Sequence, residues 1–262
     1  MSFYTSLSGL KAAQTDLNVV ANNIANSETN GFKSSSVSFA DIISSSASAN
    51  AKTTVGIGTT VSAVTQNFTT GSIAQTGGAL DLAINGDGFF ATVTQPGGQT
   101  LYTRDGSFSM DGSGYVTDAA GNRLQVLSGT ATQDAQVPLT NGAGSAFAGV
   151  AVDEDGVITA SYADGTSAAI GTVAIAAFVA PSGLKSIGDS NWVATGLSGT
   201  AAYGAPGAGT NGGLMAGAIE KSNVDLSEQL VNLITAQRYY QANAKAIDTS
   251  SHISQTIINL RT

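Results

Sequence analysis

Cysteine is absent from the 262-residue chain, which excludes a disulfide framework, a thiolate nucleophile and any Cys-ligated zinc or iron–sulfur site. Charge is also scarce, because only 11% of residues are charged where soluble domains average about 25%. Basic residues are rarer than acidic ones, with 10 against 18, which gives a formal net charge of −8. This balance argues against nucleic acid or an anionic membrane surface as a partner.

Long apolar runs are missing as well. No stretch reaches the roughly 18 consecutive apolar residues that a membrane span requires. The first residues, Met1-Ser2-Phe3-Tyr4-Thr5-Ser6-Leu7, lack the basic start and continuous apolar core of a secretory signal. We therefore expect no membrane insertion and no cleaved signal peptide.

Residues with catalytic or ligating chemistry are few. The single histidine, His252, has no second histidine or acid cluster near it in the sequence. Asp153-Glu154-Asp155-Gly156 resembles the start of a calcium loop but lacks the ligand spacing and the closing Glu, so a solvated hairpin turn explains it better. No nucleophile elbow, phosphate loop or dinucleotide fingerprint is present. We predict no catalytic residue, no metal ligand and no cofactor.

The acidic residues are concentrated in the middle of the chain. Residues 71–215 hold eleven acidic and three basic side chains, which accounts for the whole net charge of −8. The two ends are therefore neutral and can approach copies of themselves without long-range repulsion.

Both ends carry the heptad spacing of a coiled-coil helix. The predicted seam is formed by the following residues: Phe3, Leu7, Leu10, Gln14, Leu17, Ala21 and Ile24 at the N-terminus, and Leu226, Leu230, Leu233, Gln237, Tyr240, Ala244, Ile247, Ser251, Ser254 and Ile258 at the C-terminus. Asp225 followed by Glu228 suits a helix start. A narrow apolar stripe needs a partner, and we expect the two termini to pair.

Apolar residues also occur off this seam, for example Val20, Val231, Ile234, Ile253 and Ile257. They either pack on the middle of the chain or lie exposed singly, as apolar side chains often do. The alternative is that the paired helices bundle with other subunits.

The middle of the chain predicts short antiparallel strands. Alternating runs such as 89–93, 114–117 and 156–160 are separated by Asp-Gly turn signals, for example Asp87-Gly88 and Asp164-Gly165. The expected fold is α+β, in four segments: an N-terminal coiled-coil helix (1–30), an extended arm (31–70), a central antiparallel β domain (71–215) and a C-terminal coiled-coil helix (216–262).

Several motifs carry a family resemblance. Ser6-Leu7-Ser8-Gly9-Leu10, Ala21-Asn22-Asn23-Ile24-Ala25-Asn26 and Thr29-Asn30-Gly31-Phe32-Lys33 resemble the N-terminal signature of bacterial flagellar rod and hook proteins. Residues 79–90 and 102–108 resemble the opening of that family's β domain, and residues 222–226 through Gln237-Arg238 and Ala242-Asn243 resemble its C-terminal helix. The family-motif residues are Asn22, Asn23, Asn26, Asn30, Gly31 and Phe32.

These motif residues also have a physical reading. The asparagine side chains can bond to the backbone and so end the first helix, while Gly31 supplies a conformation that other residues avoid. Phe32 either anchors the arm by burial or packs ordinarily under a turn.

The resemblance implies a structural subunit of the flagellum with no enzymatic activity. The hook type is the nearer, since Ser2-Phe3-Tyr4-Thr5-Ser6-Leu7 and Ser38-Phe39-Ala40-Asp41-Ile42 resemble its start and arm. The runner-up is the distal rod type, which resembles this chain in length but carries an extra polar segment that is absent here between Ile43 and Gly56. Hook proteins usually carry a further outer β domain, so this chain would be a short form.

The implied function is polymerisation into a bendable tube that transmits motor torque. The implied partners are other copies of the chain, the distal rod protein, the hook cap, the hook–filament junction proteins and the flagellar type III export apparatus, with a final location in the flagellum outside the cell. The residues expected in the subunit interface are Leu7, Leu10, Leu17, Ile24, Leu226, Leu230, Leu233, Ile247 and Ile258.

Two rival classes stay open on the sequence alone. A secreted carbohydrate-active enzyme would need two converging carboxylates, for which Asp81, Asp105 and Asp153 are candidates, although turn chemistry explains all three. A non-flagellar adhesin or surface-layer subunit would differ by failing to form tubes.

Overall fold

The computed structural model describes residues 2–43, 56–129 and 131–259. These form an α+β fold that divides into two compact units. The first, here the helical unit, comprises Met1–Ser27, Ser34–Asn67 and Val224–Thr262, and the second, the β unit, comprises Glu28–Lys33 and Phe68–Asn223. Residues 44–55 of the predicted arm and 260–262 of the predicted C-terminal segment lie outside the described residues.

The helical unit contains two long helices and a two-stranded ribbon. Its elements are α1 (Ser2–Ala25), β1 (Ser35–Ile43), β2 (Gly56–Gln66) and α2 (Leu226–Asn259). The strands pair antiparallel from Ser35 opposite Gln66 to Ile43 opposite Gly56, and α1 packs against both strands and against α2. The predicted helix start is confirmed, because Asp225 Oδ1 accepts the backbone N–H groups of Ser227 at 2.8 Å and Glu228 at 3.1 Å.

The described part of the β unit consists of short strands joined by tight turns. They are β3 (Ile73–Gln75), β4 (Leu82–Asn85), β5 (Phe89–Val93), β6 (Thr100–Thr103), β7 (Ser109–Met110), β8 (Val116–Thr117), β9 (Arg123–Ser128), β10 (Ala131–Asp134), β11 (Phe147–Val152), β12 (Val157–Tyr162), β13 (Ser167–Val173), β14 (Ile175–Ala177), β15 (Lys185–Gly188), β16 (Asn191–Val193), β17 (Ala202–Gly204), β18 (Gly213–Ala216) and β19 (Ala218–Glu220). A 3-10 turn, Pro181–Gly183, precedes β15. The predicted strand 89–93 is therefore found as β5.

One large antiparallel sheet organises the β unit. Its main path runs β11-β12-β13-β9-β5-β6-β16-β15. Strands β8 and β10 pair with β9, and β14 pairs with β5, while β7 and β17 extend the sheet from β8 and β14. Two small pairs, β18 with β4 and β19 with β3, bring the end of the unit back to its beginning. The predicted C-terminal segment 216–262 thus contains β19 as well as α2.

Strand β5 separates two apolar cores because successive side chains point to opposite faces of a sheet. Phe90 belongs to a large core with Leu82, Ile84, Leu124 and Ile158, all fully buried. Phe89 and Ala91 belong to a second core, which contains five aromatic rings. They are Phe68, Phe89, Tyr102, Phe178 and Trp192, and neighbouring rings pack edge to face.

Aspartates close the tight turns, as the sequence predicts. Asp153 Oδ1 accepts the backbone N–H of Val157 at 2.8 Å, and Gly156 has a φ of 78° in the same turn between β11 and β12. Asp111 and Asp118 bond to the backbone of their own turns in the same way. The calcium-like segment 153–156 is thus a hairpin turn.

A substitution at Gly106 tests how tightly the β unit is packed. A Cβ atom there would lie 1.6 Å from the backbone oxygen of Leu82, whose own N–H bonds to the Gly106 oxygen at 2.9 Å. We expect Gly106→Ala to lower the free energy of unfolding by more than about 2 kcal/mol, because backbone must move. Gly112→Ala is the matched control, since nothing lies within 4 Å of its Cβ position. Equal urea midpoints for the two variants would contradict the close approach.

Candidate assembly surface

The two long helices of the helical unit pair antiparallel. A Cβ atom on Gly9 would lie 2.6 Å from the Asn243 side chain, and Asn23 Nδ2 donates to Gln229 Oε1 at 3.1 Å. Moving forward along α1 from residue 9 to 23 therefore moves backward along α2 from 243 to 229. Gly9 permits the close approach because it has no side chain.

The most deeply buried apolar side chains of the two helices are small. Ala12, Ala13 and Val20 of α1 and Ala236 of α2 are all less than 9% exposed. In α2 the shielded positions are 229, 233, 236, 240, 243, 244, 247 and 250. Apart from Ala244 these positions have a heptad spacing. They coincide with the predicted seam at 233, 240 and 247 and lie one position before it at 229, 236, 243 and 250, while Ala244 itself is a predicted seam residue.

The predicted interface residues divide into two groups. The first group is partly buried and consists of Leu7, Leu10, Leu17, Ile24, Leu233 and Ile247. The other three are exposed, with Leu226 at 47%, Leu230 at 46% and Ile258 at 64%. The intramolecular helix pair therefore leaves part of the predicted seam uncovered.

The uncovered side of α2 is strongly apolar. Leu226, Leu230 and Ile234 follow one another at intervals of four, so they lie along one side of the helix, and all are about half exposed. We call these three residues the α2 stripe. Within the described residues nothing covers it, although an aliphatic stripe of this kind normally packs against another element.

The C-terminal end of α2 extends beyond α1. The antiparallel register places residue 250 opposite the first residues of α1, and every residue from 251 to 259 is exposed. This overhang carries Ile253 at 56% and Ile257 at 60% exposure. It is a second apolar surface without a partner among the described residues.

Asn23 holds the helical unit together at the end of α1. Its side chain is 1% exposed, donates to the Ser35 oxygen at 2.8 Å and accepts the Ser35 N–H at 2.9 Å, which imitates a backbone pair. The same amide bonds to Gln229 of α2. Asn26 Nδ2 bonds to the Asn22 oxygen at 3.0 Å and caps the end of α1, while the Asn22 side chain is exposed.

A buried ion cluster lies in the β unit beside the other motif residues. Glu220 is fully buried and binds Lys33 Nζ through Oε1 at 2.6 Å and Arg104 Nη1 through Oε2 at 3.1 Å. Glu220 Oε1 also accepts the Gly71 N–H at 2.8 Å. Burial lowers the pKa of the Lys33 ammonium, and the nearby Glu220 carboxylate opposes that shift. Sequence reasoning gave none of these three side chains a role.

Backbone contacts reinforce the cluster. Lys33 Nζ donates to the Thr69 oxygen at 2.8 Å and Arg104 Nη2 to the Gly86 oxygen at 2.8 Å. Gly31 N–H donates to the Glu220 backbone oxygen at 2.8 Å. The cluster therefore ties residues 31–33, 69–71, 84–86 and 220 together.

The remaining motif residues surround this cluster. Gly31 has a φ of 65°, and a Cβ there would lie 2.4 Å from the Asp105 backbone nitrogen, so both conformation and space require glycine. Phe32 is partly buried, and its oxygen accepts the Asn223 N–H at 3.4 Å. The Asn30 oxygen accepts a hydrogen bond from Ser190 Oγ at 3.1 Å.

The candidate residues for chemistry all have simpler explanations. Asp105 and Asp153 accept hydrogen bonds within their own turns, and Asp81 accepts one from Thr76. His252 is exposed and lies 3.4 Å from Asp248 one helical turn away. The described residues hold no group of three or more acids or histidines able to bind a metal ion. No helix among them is long and apolar enough to cross a membrane.

Three family models match the chain at positions that correspond to these features. Residues 3–33, covering α1 and the motif, match the flagella basal body rod protein model. Residues 83–160 match the D1 domain model of flagellar hook protein FlgE/F/G, and residues 215–260 match the C-terminal model of flagellar basal body rod FlgEFG proteins.

Known relatives align with the chain along nearly its full length. Flagellar basal-body rod protein FlgG of Bacillus subtilis is 36% identical, with 99% of this chain and 98% of the relative aligned. FlgG of Borreliella burgdorferi is 31% identical over 99% and 98%. Flagellar hook protein FlgE of Salmonella typhimurium is 27% identical over the whole of both chains. With paired terminal helices, an antiparallel β unit and these similarities, the chain belongs to the rod and hook family of structural proteins of the bacterial flagellum.

Proposed function

We propose that the chain polymerises through its terminal helices into a hollow flagellar tube of the hook type, which bends while it transmits torque. The observation that carries this proposal is the α2 stripe, Leu226, Leu230 and Ile234, left half exposed on a helix that already has one partner. Burying apolar surface at about 25 cal/mol per Å² is the main driving force for protein association. A second copy of the same chain supplies the missing partner surface.

The α1–α2 pair is proposed to act as one antiparallel coiled-coil hairpin. Its inner seam uses the small buried residues, while Leu226, Leu230 and Ile258 face neighbouring copies. Six partly buried residues lie between the inner seam and the surface that faces neighbouring copies. They are Leu7, Leu10, Leu17, Ile24, Leu233 and Ile247. Several helix hairpins bundled around an axis would give every apolar face a partner.

Two observations bear on whether the chain is a hook subunit or a distal rod subunit. The sequence motifs at residues 2–7 and 38–42 resemble the hook type. In favour of the distal rod, the FlgG alignment spans 274 positions, close to the 262 residues here, whereas the hook alignment spans 411 positions and requires long insertions in that relative. The distal rod is therefore the second candidate.

The proposed partners follow from that role. They are other copies of the chain first, then the distal rod protein, the hook cap, the hook–filament junction proteins and the flagellar type III export apparatus. Terminal helices that gain most of their apolar partners only in the polymer suit export as unfolded chain.

Electron microscopy of the assembled full-length protein tests the proposal. We expect purified protein, once assembly is induced, to form hollow tubes that are visibly curved. Straight rigid tubes of the same protein would support the distal rod instead. Failure to form tubes over a range of salt, pH and protein concentration would contradict both flagellar candidates and favour an adhesin or surface-layer role.

A further inference from the structure

A third uncovered apolar surface lies on the β unit. Val179 is 95% exposed and Leu197 is 83% exposed. The two loops that carry them, residues 178–184 and 195–200, are joined by a hydrogen bond from Thr195 Oγ1 to the Gly183 oxygen at 2.6 Å and another from Ala180 N–H to the Ser198 oxygen at 3.4 Å. We call these two loops the loop patch.

The loop patch holds its shape without a partner. A Cβ atom on Gly183 would lie 2.5 Å from the Ser198 backbone nitrogen, so the loops are in close contact. Ser198 is fully buried, and its hydroxyl accepts the Thr195 N–H at 2.9 Å. The two apolar side chains are therefore presented outward by well-bonded loops.

An aromatic cavity adjoins the loop patch. It has a volume of about 480 Å³ and is lined by Phe68, Phe89 and Phe178 together with Val179 and Pro181. Arg104, 2% exposed, also lines it, and its Nε–H finds no acceptor among the described residues. An apolar side chain accompanied by a backbone carbonyl has the chemistry to fill this space.

Charge distribution indicates what covers the surface. Residues 71–215 carry a net charge of −8, so neighbouring β units in a polymer repel one another over most of their surfaces. Residues 165–184 and 190–219 contain no Asp, Glu, Lys, Arg or His, and the loop patch lies within these two stretches. One carboxylate, Asp87, stands at the cavity rim.

We propose that the loop patch and its aromatic cavity form a lateral contact between the β units of adjacent copies. The occupant is a second copy of this chain, approaching through a surface with few charges. A contact of this size is weak alone, but the polymer repeats it at every subunit while the helices hold neighbouring copies close, which raises the effective concentration. This inference rests on the proposed function, since it requires polymerisation.

Cysteine reactivity tests the contact directly, because the chain has no cysteine of its own. Val179→Cys and Leu197→Cys place single thiols in the loop patch, and Leu139→Cys places one at an apolar side chain that is 45% exposed elsewhere on the β unit. We expect maleimide labelling at 179 and 197 to slow at least about tenfold on polymerisation, while labelling at 139 changes less than about twofold, because thiol reactivity follows exposure.

The outcomes separate this inference from the proposed function. If tubes form and the thiols at 179 and 197 stay as reactive as in the monomer, or if all three slow equally, the loop-patch contact is wrong while polymerisation stands. If the unsubstituted chain forms no tubes, the proposed function fails and this inference fails with it.

Val179→Asp should in addition raise the critical concentration for assembly about tenfold relative to Leu139→Asp.

Discussion

Replacing Glu220 by Gln is expected to lower the free energy of unfolding of the β unit by about 3–5 kcal/mol, the usual cost of removing one partner from a buried ion pair. Glu220 is the single anion between Lys33 and Arg104, and all three side chains are at most 2% exposed. The variant would leave two buried cations without a counter-charge. Glutamine keeps the size of the side chain, so the effect reports charge rather than packing.

Lys33→Met is the matched control because it leaves Arg104 and Glu220 as a balanced pair. Its expected cost is smaller, about 1–3 kcal/mol, because Glu220 Oε1 and the Thr69 oxygen each lose one hydrogen bond. Gly71 N–H still donates to Glu220 Oε1, and Asn223 Nδ2 still donates to the Thr69 oxygen. Adding Lys33→Met to Glu220→Gln should cost less than the sum of the two, since it removes one of the stranded cations.

Urea unfolding followed by tryptophan fluorescence measures both variants. Trp192 is the only tryptophan, is 2% exposed and packs against Phe68 and Phe89 in the β unit. Its emission therefore reports on that unit in the full-length chain. A Glu220→Gln variant no less stable than Lys33→Met would refute the charge argument.

Leu230→Asp is expected to abolish polymerisation while the monomer stays folded. Leu230 is 46% exposed in the monomer, so an Asp there keeps access to water until a second copy approaches. Burying an unpaired carboxylate in the contact costs several kcal/mol, and each 1.4 kcal/mol is tenfold in affinity, so the critical concentration should rise by more than about a hundredfold.

Asn232→Asp is the control for this experiment. It adds the same charge in the same turn of α2, but its position is rotated about 200° from Leu230 around the helix. Sedimentation of assembled material and far-ultraviolet circular dichroism of the monomers compare the two variants. Tubes from Leu230→Asp at the wild-type concentration would show that the α2 stripe does not face a neighbour.

The existence and start of the helices could be predicted from the sequence, but not the line along which they meet. The periodic leucines predict α2, and Asp225 fixes its start, because both are local signals. The sequence does not determine which side of α2 contacts α1, since α2 carries apolar residues on more than one side. Their spacing alone does not show which of them face the other helix. The intramolecular contact uses Gly9 and Ala236, whose small size permits close approach and leaves Leu230 outside.

In the β unit, too, the features encoded by neighbouring residues could be predicted, and those formed by residues far apart in sequence could not. Asp-Gly turns and the strand at 89–93 are encoded in adjacent residues and were predictable. The ion cluster joins residues 33, 104 and 220, which are far apart in sequence, so no local pattern reveals it. The available signal was the rarity of charge, since Arg104 follows the strand residues Tyr102-Thr103 and Glu220 follows Ala218-Ile219.

The ion cluster also bears on how the β unit responds to mechanical load. The chain enters this unit at residues 28–33, leaves it after Lys33, returns at Phe68 and leaves again after Asn223. Lys33 binds Glu220 and the Thr69 oxygen, and Asn223 binds the Phe32 and Thr69 oxygens. The crossings after Lys33, before Phe68 and after Asn223 are therefore bonded to one another. A force that pulls on these crossings is passed from one to the next through these hydrogen bonds and the Lys33–Glu220 ion pair. We therefore expect the strands of the β unit to carry little of that tension and to stay paired under load.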